Sequence, residues 1–113
     1  MSLARSHTAT IARNELWSDG AATEPYEAGW AREAIFFVRA LEAKVPLQGA
    51  TAHVQLSPDG IHWVDEGGSF ALPNHDGGLS FGRVERFGGW LRLRIALPDG
   101  AALRVIASIA LKE

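Results

Sequence analysis

Two C-terminal stretches alternate apolar and polar positions with a period of two. Leu91, Leu93, Ile95 and Leu97 alternate with Trp90, Arg92, Arg94 and Ala96, and Leu103, Val105, Ala107, Ile109 and Leu111 alternate with Arg104, Ile106, Ser108 and Ala110. Successive side chains of a strand point to opposite faces of its sheet, so each stretch predicts a strand with one apolar face. Between them lies Pro98-Asp99-Gly100. Proline pre-sets φ and glycine accepts a positive φ, which predicts a tight turn joining the two strands as a hairpin. The same grammar occurs earlier: Ala52, Val54 and Leu56 alternate with Thr51, His53 and Gln55, then Ser57-Pro58-Asp59-Gly60 turns the chain into Ile61 to Asp65. In this second hairpin Gln55 is expected to face His62, with His53 diagonal to His62 on the same strand face.

Residues 33–45 fit two templates. Ala34, Ile35, Val38, Leu41 and Val45 make a helical stripe, while Ile35-Phe36-Phe37-Val38 is a run suited to a strand buried on both faces. The neighbouring hairpins favour the strand; a helix there would make the class α+β. Residues 6–11, small and polar by turns, predict an edge strand. Residues 18–29 and 73–78, rich in Gly, Pro and small side chains, predict loops, and Phe87-Gly88-Gly89-Trp90 predicts a bend entering a strand. Short strands at eight- to twelve-residue spacing give the expected class, an all-β antiparallel β-sandwich of the jelly-roll kind. The tryptophans at 17, 30, 63 and 90 are expected to supply much of its core.

A chain of 113 residues holds one such core, so residues 1–113 are expected to form a single domain. With 47% hydrophobic and 21% charged residues the chain is globular rather than disordered or coiled-coil, and a net charge of −2 gives no general attraction to nucleic acid or an anionic membrane. The absence of cysteine excludes disulfides, thiolate metal sites and a cysteine nucleophile. Residues 1–14 carry no apolar run of the signal-peptide type and no stretch is long and apolar enough for a membrane helix. The expectation is a soluble protein, cytoplasmic or part of a virion-like particle.

Ser57-Pro58-Asp59-Gly60-Ile61-His62-Trp63 resembles the S-x-D-G-x-x-W hairpin of discoidin-like, galactose-binding-like jelly-roll domains and of small β-sandwich accessory proteins of phage particles, such as decoration and tail subunits. Phe87-Gly88-Gly89-Trp90-Leu91-Arg92-Leu93-Arg94 looks like the later aromatic strand of both groups. The resemblance implies that the Asp-Gly turn makes the hairpin and that Trp63 packs into the sandwich.

Motifs for catalysis are absent: there is no G-x-S-x-G elbow, P-loop, dinucleotide glycine fingerprint or H-E-x-x-H pair. His53 and His62 alone lack the third and fourth ligands of a metal site. No enzyme activity, metal or cofactor is therefore expected. Arg92, Arg94 and Arg104 are expected on the faces opposite the leucines, either as a docking stripe or paired with Glu33, Glu42 or Glu85. The reading from these residues is a structural or assembly protein that forms a homo-oligomer or docks on a larger protein assembly, using Arg92, Arg94 and Arg104. The alternative is a carbohydrate-binding module, with Tyr26, Trp30, His75 and Asp76 on loops forming a platform for a glycan.

Overall fold

Alternation is realised as strands throughout the computed structural model, which describes residues 5–44 and 48–113. In chain order these are β1 (Ser6–Trp17), β2 (Tyr26–Glu27), β3 (Glu33–Lys44), β4 (Thr51–Ser57), β5 (Val64–Ala71), β6 (Leu79–Glu85), β7 (Trp90–Ala96) and β8 (Ala102–Lys112). They form two antiparallel four-stranded sheets, ordered β1-β8-β3-β6 and β2-β7-β4-β5, and the described residues include no helix. The protein is an all-β antiparallel sandwich. Residues 33–44 are strand, and Val45, the expected end of that segment, lies outside the described residues. The expected edge strand at residues 6–11 is the first half of β1, which stands at a sheet edge and continues to Trp17.

The inward rows are fully covered. Phe36 and Val38 of β3, Ala52 and Val54 of β4, Leu91, Leu93 and Ile95 of β7, and Leu103, Val105, Ile109 and Leu111 of β8 meet between the sheets. Each larger side chain removed from water contributes roughly 1.5–3 kcal/mol, which makes this double layer the main favourable term of the fold.

Three expectations are corrected. The strands flanking Pro98-Asp99-Gly100 do not pair: β7 lies between β2 and β4, whereas β8 lies between β1 and β3 in the other sheet. Both leucine rows face the same core from opposite sides, so the alternation satisfies burial equally well when the turn crosses the sandwich. Among the described strands only the β4–β5 connection stays within one sheet, and there Gln55 faces Asp65 and His53 faces Ser69; His62 is in the turn. Nor is the core tryptophan-rich. Trp17 is 2% exposed, but Trp30, Trp63 and Trp90 are half-buried, and Trp63 stands outside the core cluster.

The segment expected as a loop at residues 18–29 does edge-strand work. Gly20 N donates to Ile95 O, Ile95 N to Ala21 O, Thr23 N to Leu93 O and Leu93 N to the Thr23 hydroxyl, all at 2.8–2.9 Å, before β2 pairs with β7 at Tyr26 and Glu27. The open flank of β7 is thereby satisfied without a regular strand, as a buried backbone requires.

Candidate functional site

The sequence-predicted residues fall in three places. Arg92 and Arg94 project from the outer face of the β2-β7-β4-β5 sheet, while Arg104 projects from the outer face of the other sheet, so the three do not form one stripe. Arg92 is committed internally. Its Nε donates to Gln55 Oε1 at 2.8 Å, Gln55 Nε2 donates to Asp65 Oδ1 at 2.9 Å, and its guanidinium lies 4.3 Å from the Trp63 ring centroid. Partial burial first, and then the charge of Arg94, lower its pKa. Trp63 is thus a platform for an arginine on the outer face, in place of the core residue that the hairpin resemblance implies. Arg94 is exposed and borders a shallow cleft of about 260 Å³ with Asp19, His53 and Asp65. Arg104 Nη1 donates to Asn14 O and Oδ1 at 3.1 and 3.3 Å, across a bulge in β1 where Asn14 has a φ of 51°, and Glu42 is its register partner on β3.

Tyr26 and Trp30 occupy one end of the sandwich. Tyr26 stacks on His7 at 6.2 Å between centroids, and Trp30 lies under the guanidinium of Arg5 at 4.7 Å. His75 and Asp76 sit at the other end: Asp76 Oδ1 accepts from Ala43 N at 2.8 Å, and His75 bonds Asn74 at 3.0 Å. Arg32 is bonded to Lys112 and Ala43 is registered with Leu103, so β8 runs between the two places, roughly 30 Å at strand rise. The four residues do not make one platform.

Around the Asp-Gly turn the polar groups are self-satisfied. The fully buried Ser57 hydroxyl accepts from Asp59 N and Gly60 N and donates to Asp59 Oδ1; Asp59 Oδ1 accepts from Ile61 N and His62 N; Asp59 Oδ2 meets His62 Nδ1 at 2.7 Å. The backbone N–H of His62, then the His62 ring and the N–H of Ile61, hold the Asp59 carboxyl well below its usual value. The carboxylate stands between the hydroxyl and the imidazole. This order builds a turn and leaves His62 unable to take a proton from Ser57, the step that activates a serine nucleophile. Among the described residues no three His, Asp or Glu side chains are grouped to hold a metal ion.

The surface that sequence reasoning missed is the outer face of the β1-β8-β3-β6 sheet. On β3 the outward row is Glu33, Ile35, Phe37 and Arg39; on β6 it is Glu85, Arg83, Phe81 and Leu79; the register sets Ile35 beside Arg83, Phe37 beside Phe81 and Arg39 beside Leu79. On β8, Ala110, Ser108 and Ile106 continue the same rows. Leu79 is 66% and Phe81 51% exposed, and Ile106 is also exposed. The Phe37 and Phe81 rings lie 6.5 Å apart, with the Arg83 guanidinium 5.0 Å from the Phe81 centroid. Exposed apolar side chains gathered on one face and rimmed by charged ones are the kind of surface that interaction sites use. The signal was the unbroken run Ile35-Phe36-Phe37-Val38, which predicts cover on both faces, whereas the sandwich buries Phe36 and Val38 fully and leaves Ile35 and Phe37 half-buried. At one end of this face lies a cleft of about 560 Å³ bordered by Glu33, Ile35, Glu66, Arg83, Glu85 and Lys112.

No family model matches the chain, and no curated protein matches it. Among solved structures, the crystal structure of the SPBc2 prophage-derived protein YomS aligns with a TM-score of 0.63 at 7% identity, covering 100% of this chain and 97% of that one. This chain shares the fold of that prophage-derived protein. The structure of infectious bursal disease virus Gx strain aligns at a TM-score of 0.48 and 10% identity over 98% of this chain and 32% of that one. FLHE aligns at 0.42 and 17% identity over 96% and 94%.

Proposed function

We propose that this chain is a non-enzymatic assembly protein, a rigid jelly-roll sandwich that binds a second copy of itself, as a decoration or tail accessory subunit of a phage-like particle does. The observation that carries the reading is the apolar outer face on which Leu79, Phe81 and Ile106 are exposed beside the half-buried Ile35 and Phe37. The outer face of the four-stranded sheet that carries these residues, charged rim included, is about 19 Å wide and, along β8, about 36 Å long, a flat footprint on the order of 700 Å². Stable interfaces cover roughly 800 Å² of each partner, so a second copy fits the scale.

Three further observations support the reading. The nested orders β1-β8-β3-β6 and β2-β7-β4-β5 are those expected of an eight-stranded jelly roll. The full-length likeness of fold to a prophage-derived protein agrees with a phage-like setting. The polar groups of the Asp59 turn are engaged in structure rather than left free for chemistry. The test is Phe81→Glu. The ring is half in water on an edge strand, so the domain should stay folded, with a stability change of less than about 1 kcal/mol. Its mass in light scattering should fall to that of one chain at concentrations where the natural sequence is dimeric or larger. An unchanged oligomer would take this face out of the interface.

A further inference from the structure

The outward row of β3 reads acid, apolar, apolar, base: Glu33, Ile35, Phe37, Arg39. Such a row is complementary to itself when reversed. Laid face to face with the strands antiparallel, it sets Glu33 against Arg39 twice and Ile35 against Phe37 twice. With the strands parallel, it sets like charges against each other at both ends. A closed two-fold interface uses one patch on both copies, so the reversed arrangement is the one that such symmetry and charge favour together.

The rest of the face agrees. Glu33 and Arg39 are exposed, and neither forms an ion pair or side-chain hydrogen bond among the described residues. The 560 Å³ cleft is at the Glu33 end, where Glu33, Glu66 and Glu85 outnumber Arg83 and Lys112, and Arg83 is held over the Phe81 ring. At the other end of the row, Arg39 sits beside the aliphatic Leu79 and Ile106 and not beside a carboxylate. One end offers room and negative charge; the other offers a free guanidinium. Arginine suits this role, because its planar fork binds carboxylates while its stem covers apolar surface.

Resting on the self-association proposed above, we infer that two copies pack these faces about a two-fold axis lying in the interface and crossing the strands. Arg39 of each copy then enters the carboxylate-lined cleft of the other, and the phenylalanines close the centre. The experiment measures dimer dissociation by sedimentation equilibrium for the natural sequence, Glu33→Arg, Arg39→Glu and the double variant Glu33→Arg/Arg39→Glu, with thermal melts to show that each is folded. Either single reversal replaces two attractions by two repulsions and should weaken the dimer about 10- to 100-fold. The double variant should recover most of the lost affinity, and an equimolar mixture of the two single variants should form a one-to-one heterodimer. A dimer indifferent to both reversals would overturn this register while leaving self-association standing. A natural sequence that stays monomeric at the highest attainable concentration would overturn self-association itself.

Discussion

At the scale of single residues, the most tightly determined site is the turn at Ser57 to His62. Asp59 accepts two backbone N–H bonds and the His62 ring, which favours its ionised form and pulls its pKa down from an unfolded value near 3.8. A carboxyl lowered by folding contributes stability that is fully present above the unfolded value and is lost as the pH falls through the folded one. Urea melts between about pH 5 and 2 should therefore show the natural sequence losing stability more steeply than Asp59→Asn, and parallel curves would remove the carboxylate from the account. Gly89 closes the same end of the sandwich. Its φ is +80°, and an added Cβ would lie 2.4 Å from the carbonyl oxygen of Ser57, a backbone atom that cannot swing aside. Gly100 has a similar φ of +76° but open space around it. Gly100→Ala should cost about 1–2 kcal/mol of left-handed strain. Gly89→Ala should cost clearly more in chemical denaturation, and equal losses would show that the close approach is relieved.

At the scale of elements, periodicity was a sound guide to strands and a poor guide to their partners. The rows Leu91 to Ile95 and Leu103 to Leu111 were legible as strands because each buries alternate residues. Their separation into different sheets was not, because a Pro-Asp-Gly turn and one-sided burial are compatible both with a hairpin and with a crossover. Residues 19–23 escaped notice for the opposite reason. They satisfy β7 through hydrogen bonds from the backbone and Thr23, with no alternation to betray them. Tryptophan was also misleading, since a large ring serves as a core residue or as a platform. Trp17, buried at the end of β1, should cost about 3–5 kcal/mol when cut to alanine, whereas Trp63→Ala removes a half-buried ring outside the core cluster, stacked against Arg92, and should cost less. Equal destabilisation of the two variants in parallel melts would contradict this division.

At the scale of the molecule, the sandwich class was readable from strand spacing and alternation, but the candidate site was not. The arginines and loop residues singled out in the sequence depend on which sheet and which end each element joins, and the topology scatters them: Arg104 to one sheet, Arg92 and Arg94 to the other, Tyr26 and Trp30 to one end and His75 and Asp76 to the opposite end. What the topology gathers instead is apolar, the outer row of β3 with its neighbours on β6 and β8. Four residues of that row and its flank, Ile35, Phe37, Leu79 and Phe81, account for why a chain of near-average composition has a face unsuited to water. The most direct test is the solution mass of the natural sequence by size-exclusion chromatography with light scattering over a concentration series. A mass of two chains or a larger closed ring, falling toward one on dilution, is the predicted result; a strict monomer across the whole series would contradict it.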